Sequence, residues 1–205
     1  MNGKDAAKPR EAEDVRLPEI YHLKYKICIS GASETGLCAP DALERTEELG
    51  RLIAKKNMVT VTGATTGAPY WAAKGAKEAG GIVLGISPAS SKADHVNNYR
   101  LPVDYHDLII YTGFGYSGRN LILSRSSDAV VMTCGRIGTL NEFTVAFEDG
   151  KPQGVLLGAG GVTDMIEEIL KKSNRGPGKV VFDTSPAKLL DKLVALMEAE
   201  DKEVR

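Results

Sequence analysis

The sequence predicts an α/β fold: a single domain with a mostly parallel sheet of about seven strands and helices on both faces. Three observations carry that prediction. Short apolar runs ending in glycine or small residues alternate along the chain with segments of helical period. The apolar runs are hydrophobic at nearly every position, as strands covered on both faces are. The length of 205 residues suffices for one well-packed domain and not for two large ones.

Taken in order, residues 1–22 are charged, aperiodic and contain two prolines, so a mobile N-terminal tail is expected there, with the domain spanning 23–205. KICISGA then reads as a strand and PDALERTEELGRLIAKK as a helix. MVTVTGA and PYWAAKGAKEAG repeat the pair, and GIVLGISP gives a third strand. The loop Ala89–Tyr105, ASSKADHVNNYRLPVDY, is the one long connection without periodicity, which makes it a candidate lid. DLIIYTG, a helix through Ser127, DAVVMTCG, a helix near Thr139 to Glu148, GVLLGAG, VTDMIEEILKKS, KVVFDTS and PAKLLDKLVALMEAE continue the alternation.

Charge and cysteine content narrow the function. A net charge of −1 supplies no general basic field for a phosphate polymer or an anionic membrane, so neither nucleic acid nor a membrane is expected as a partner. No apolar run approaches the ~20 residues that cross a bilayer, and the first twenty residues lack the apolar centre of a signal peptide. Cys28, Cys38 and Cys134 are odd in number without C-x-x-C spacing, so neither a disulfide nor a zinc site is suggested and a reducing, cytoplasmic setting is expected. No metal or other cofactor is expected.

In parallel sheets, ligands bind beyond the carboxyl ends of the strands, which directs attention to four small-residue turns: SGASETG, TGATTG, TGFGYSG and TCGRIGT. Gly113, Gly115 and Gly118 match the G-x-G-x-x-G spacing of a dinucleotide clamp. An NAD(P) site also needs an acidic residue at the end of the next strand, and VVMTCGR supplies only Arg136. TCGRIGTLNEF, Thr133 to Phe143, carries more chemistry. Glycines at 135 and 138 permit a sharp turn and close approach of a ligand, and Thr139 opens a helix whose first N–H groups and dipole favour an anion. Glu142 stands one turn further on the same side. The same residues also fit a T-x-x-E capping box, in which the glutamate only satisfies a backbone N–H.

The span Arg119 to Glu142 resembles the signature of the LOG (lonely guy) family, also described as lysine decarboxylase-like: an Arg-led helix, then a strand ending P-G-G-x-G-T-x-x-E. The resemblance runs from Lys26 to about Leu157. It departs at Cys134, which stands for the proline, at Arg136, which stands for the second glycine, and at Ala64 and Thr65 in the TGATTG turn. It implies a Rossmann-like domain that hydrolyses the N-glycosidic bond of a purine nucleoside 5'-monophosphate to free base and ribose 5-phosphate. Arg119 and Glu142 take the catalytic positions. Gly135, Gly138 and Thr139 take phosphate-binding ones, Gly31, Gly63, Thr65 and Gly67 of the small-residue turns are further candidates for phosphate or nucleotide binding, and Arg136 either crowds the backbone approach or adds a cation to the same phosphate. A carboxylate there would stabilise positive charge developing on the ribose, and the arginine would hold phosphate, hydroxyls or the carboxylate itself. The resemblance implies a homodimer. The chain looks equally like the wider group that includes molybdenum-cofactor carriers, in which the same pocket binds without turnover. Cys134 reads more simply as a buried structural cysteine than as a nucleophile. His95 and His106 read as solvated loop residues, and Tyr70 and Trp71 as packing or subunit contacts.

Overall fold

The computed structural model describes the backbone of residues 23–204 and the side chains of 23–200; the expected tail lies outside the described residues. Among the described residues, seven strands form one sheet, all of whose pairs are parallel: β1 (Lys26–Ser30), β2 (Val59–Thr62), β3 (Ile82–Ser87), β4 (Leu108–Tyr111), β5 (Ala129–Met132), β6 (Gln153–Leu156) and β7 (Val180–Asp183). The connecting helices are α1 (Ala42–Lys55), α2 (Ala68–Glu78), α3 (Lys92–Asn97), α4 (Gly115–Ser126), α5 (Ile137–Glu148), α6 (Ile166–Ser173) and α7 (Pro186–Val204). A 3-10 turn, Val162–Met165, leads into α6. No described helix is long and apolar enough to cross a membrane.

The central strands are buried because each face of the sheet has its own core. Ile27, Ile29, Ala129 and Val131 pack with Leu49 and Ile53 of α1 and Leu189, Leu190 and Leu193 of α7. Cys28, Val130, Met132 and Val155 point the other way, against Leu123 of α4, Phe143 of α5 and Ile166 and Leu170 of α6. The Val, Leu, Ile, Phe and Met side chains among these are each worth roughly 1.5–3 kcal/mol when fully buried, so the two apolar layers dominate the stability. Helices α1 and α2 meet almost backbone to backbone. A Cβ on Gly50 would lie 2.0 Å from the Ala72 carbonyl oxygen, and one on Gly75 would lie 2.0 Å from that of Glu47.

The strand order, β4-β3-β2-β1-β5-β6-β7, reverses direction at β1. Between β1 and β5 the two connections leave in opposite senses, and a crevice opens beyond the carboxyl ends of the strands, where ligands of this architecture bind. The glycines of TGFGYSG do not line that crevice: the turn follows β4 at the edge of the sheet, and only its Tyr116 reaches the crevice from α4. Its glycines serve a tight strand-to-helix passage: Gly113 and Gly115 have φ of +70° and +62°, and a Cβ on Gly118 would meet Phe114 Cβ at 2.7 Å. Helix α4 then returns across the sheet to reach β5, and it carries Arg119 to the switch point.

The connection after β3 is not the free lid that its lack of periodicity suggests. It contains α3, whose N-cap Ser91 accepts from Asp94 N–H while the Asp94 carboxylate accepts from Ser90 N–H. His95 is fully buried rather than solvated. Its Nε2–H donates to the Pro102 carbonyl (2.9 Å), which leaves Nδ1 to accept from Ser87 Oγ (2.8 Å). His106 likewise donates from Nδ1 to Asp104 O and accepts from Thr62 Oγ1, both at 2.8 Å. Burial holds the His106 imidazole below its ordinary pKa. The unfolded chain protonates this group near its ordinary value of about 6.5. Its contribution to stability is therefore complete above that pH and is lost as pH falls through the lower folded value. Thermal melts below pH 6.5 are expected to show a loss of stability that is smaller in His106→Gln.

Candidate anion-binding site

Four segments converge on the switch-point crevice. β1 ends at Ser30 and β2 at Thr62, each followed by a small-residue turn, while β5 ends at Met132 and turns through Thr133–Arg136 into α5. Arg136 is the residue that caps α5, in extended conformation and without a side-chain cap bond. The first N–H groups of α5 therefore lack partners within the helix and point, with the positive end of its dipole, at the crevice. α4 closes the remaining side. The resulting cavity holds about 380 Å³ and is lined by Gly31, Ala32, Ser33 and Glu34 from the first turn, Thr65 from the second, Tyr116, Arg119 and Asn120 from α4, and Arg136 to Thr139 with Glu142 from the α5 turn.

Arg119 and Glu142 face each other here, 3.7 Å apart and almost fully buried, at 6 % and 5 % exposure. Among the described residues, that separation leaves the guanidinium without a close carboxylate partner, and its Nε has no hydrogen-bond partner. Tyr116 lies beneath it, with Cζ 5.9 Å from the ring centroid, within cation–π range. Gly63 makes the space: a Cβ there would sit 1.7 Å from Arg119 Nη1. Gly63→Ala is expected to fold while its arginine swings aside, weakening anion binding about tenfold in a calorimetric titration, since one charged hydrogen bond is worth about 1.5–3 kcal/mol.

Glu142 accepts a hydrogen bond from Ser30 Oγ. With its amide nitrogen turned to the carboxylate, Asn120 also donates to Glu142 Oε1 (2.9 Å) and to the Tyr116 carbonyl (2.9 Å). Burial raises the Glu142 carboxyl above its ordinary pKa, and the Arg119 charge and the Ser30 hydroxyl offset part of that rise. The capping-box reading of Thr139 and Glu142 does not hold: the glutamate turns to Ser30 and Arg119, and no side chain caps α5. Beneath the pair lies Cys28, a free buried thiol whose pKa burial also pushes up, so it stays protonated.

Of the sequence-predicted residues, Arg119, Glu142, Gly31, Thr65, Arg136, Gly138 and Thr139 line one cavity. Gly63, Gly67 and Gly135 do not, and each has another task. Gly63 clears the arginine. Gly67, at φ +70°, caps α2 where a Cβ would strike the Ala32 carbonyl at 2.2 Å. A Cβ on Gly135 would meet Thr139 Cγ2 at 2.6 Å, so that glycine lets the turn fold onto α5. Tyr70 and Trp71 lie outside the cavity, against Tyr105 and Lys74. Sequence reasoning missed Ser30, Asn120 and Glu34. The last two had a signal, since Asn120 adjoins Arg119 and Glu34 is the sole acid in SGASETG.

The cysteines are the clearest correction. Cys38 and Cys134 form a disulfide across 96 residues, with Cα atoms 5.3 Å apart, so the expectation of unpaired thiols fails, and with it the cysteine-based argument for a reducing compartment. Spacing along the chain gave no hint, because the parallel β1–β5 pairing alone brings the two turns together. The bond fastens the first turn to the α5 turn, beside a backbone bond from Ala32 N–H to the Cys134 carbonyl (2.6 Å).

A parallel sheet with its crevice at a central switch point, a helix N-terminus aimed into it and a buried arginine beside it define a Rossmann-like, LOG-type protein. More narrowly, residues 24–190 match the model of the SLOG cluster4 family, and the chain belongs to that family. It is 35% identical over 126 residues to an uncharacterized protein of Archaeoglobus fulgidus, covering 62% of this chain and 78% of that one. Among solved structures it is similar to the molybdenum cofactor binding protein of Rippkaea orientalis, at 31% identity and a TM-score of 0.68, covering 87% of this chain and 98% of that one. It is also similar to the Moco carrier protein of Chlamydomonas reinhardtii, at 29% identity and a TM-score of 0.71, covering 86% and 99%.

Proposed function

We propose that this protein binds a small ligand through a terminal phosphate and acts as a carrier of a molybdopterin-type phosphate. The observation that supports this most directly is the buried Arg119 guanidinium, which faces the cavity with an unpartnered Nε and only a distant carboxylate. Arg119, the first N–H groups of α5, Thr139 and Arg136 together make a receptor for a dianion. Thr65 and Tyr116 border the space left for an organic ring. Likeness over nearly the whole chain to proteins named for binding or carrying the molybdenum cofactor favours a pterin phosphate as the cargo.

A second reading, hydrolysis of a purine nucleoside 5'-monophosphate, is favoured by the Arg119–Glu142 pair in the same cavity. Glu142 would then stabilise positive charge on the ribose and orient the attacking water, and the phosphate, remote from the bond, would position the sugar. Burial raises the Glu142 carboxyl, while Ser30 and Asn120 donate to it and the Arg119 charge faces it, so the hydrolysis reading depends on those three groups to keep it ionised. Incubation with a panel of purine monophosphates, followed by chromatography for free base, separates the readings. The carrier reading predicts anoxic binding of molybdenum cofactor with no base released. Base release that Glu142→Ala abolishes would overturn it.

The carrier is further proposed to be a homodimer. Leu108 and Ile110 on the edge strand and Phe114, Tyr116 and Leu121 on or beside α4 are exposed large apolar side chains, a surface that a second copy would cover. Sedimentation should give twice the chain mass, and Ile110→Lys with Leu121→Lys should give the monomer.

A further inference from the structure

At the mouth of the cavity Arg136 is already paired with an anion of the chain itself. Its Nη1 donates to the Glu34 carboxylate, and both residues line the cavity. Both side chains are largely exposed, 49% for the arginine and 79% for the glutamate, so either can exchange its partner without unpacking the core. The backbone around them is fixed. The Cys38–Cys134 disulfide and the bond from Ala32 N–H to the Cys134 carbonyl tie the two turns together, and Thr66 Oγ1 donates to the Ser33 carbonyl (3.1 Å) beside Glu34. The pair thus changes by side-chain rotation alone.

We infer that Glu34 is a built-in competitor for the ligand phosphate: it occupies Arg136 when the cavity is free, yields it when a phosphate enters, and returns to assist release. The inference rests on the phosphate-binding reading above. The incoming phosphate replaces one carboxylate on a guanidinium that stays in place, so the arginine is never left without an anion. An exposed ion pair is weak, so Glu34 tunes affinity without closing the site. A carrier has reason to keep such a competitor, because cargo must leave as well as enter. Glu34 and Arg136 are then specificity determinants. A ligand with a terminal phosphate engages Arg136 and meets Glu34, and its dephosphorylated form meets neither.

The test is a titration of the intact protein with AMP, with inorganic phosphate and with adenosine. Glu34→Gln should bind AMP and phosphate about two- to fivefold more tightly and release AMP correspondingly more slowly, with adenosine unchanged. Arg136→Gln should weaken both phosphate probes, and adding Glu34→Gln to it should change nothing further, because the competitor has lost its target. If wild type binds the phosphates and Glu34→Gln leaves their affinity and release unaltered, the competitor role is wrong and the phosphate reading stands. If wild type binds neither phosphate probe, the competitor proposal falls, because Arg136 then takes no phosphate from these ligands, and the phosphate reading is judged separately with a phosphorylated pterin.

Discussion

Arg119→Gln is expected to bind a phosphorylated ligand about 30- to 100-fold more weakly than wild type while keeping its fold. The magnitude follows from the charge-assisted bonds that this guanidinium makes to a phosphate, about 2–3 kcal/mol net. It is larger than for any other residue of the cavity because Arg119 is buried. Water cannot replace it, and its charge acts through a medium of low dielectric. Glu142 stands 3.7 Å away and would lose its counter-charge in the variant. Its carboxyl, already raised by burial, would take up a proton instead of remaining an unpaired buried anion, which limits the cost to stability. Arg119→Lys should recover only part of the affinity, because an ammonium keeps the charge and lacks the planar fork. Calorimetric titration gives the affinities, and far-ultraviolet circular dichroism checks the fold.

Cys38→Ser with Cys134→Ser should produce the largest loss of stability. Closing a loop across 96 residues removes conformational freedom from the unfolded chain worth about 4–5 kcal/mol in the chain-entropy description. For a chain of this size that corresponds to a melting temperature lower by roughly 10 °C or more. Scanning calorimetry with and without a thiol reductant checks it. Reductant should lower the wild-type transition toward that of the variant and leave the variant unchanged. Ligand affinity should fall as well, by less than in Arg119→Gln, since the bond holds the α5 turn against the β1 turn without touching the guanidinium.

These two predictions also mark where the sequence was legible and where it was not. The alternation of apolar strands and helical segments is a local pattern, so all seven strands and the parallel sheet follow from KICIS, VTVT, AVVM and their kin. Arg119 and Glu142 could be paired in advance only through the family resemblance. Their meeting depends on α4 crossing from the edge strand back to the switch point, which is a property of strand order and not of spacing. The same order hid the disulfide, because Cys38 and Cys134 lie on turns brought together by the β1–β5 pair. The loop 89–105 failed differently. Its helix α3 is short and polar, and its hydrogen-bonded anchor is a single buried histidine, so hydrophobic period could not report it; the Ser-x-x-Asp cap in SSKAD was the signal available. The triple glycine of TGFGYSG was the converse case, a dinucleotide spacing in the turn after an edge strand, whose glycines do not line the crevice.

The central claim is that the cavity between the β1 and α5 turns is a phosphate receptor built around Arg119. The most direct measurement is a paired titration of the intact protein with a phosphorylated pterin and the same pterin after phosphatase treatment. Saturable binding of the phosphorylated form is expected, about 100-fold tighter than that of the dephosphorylated one, with that preference lost in Arg119→Gln. Equal affinity for the two forms, or a preference that survives the loss of Arg119, would contradict it.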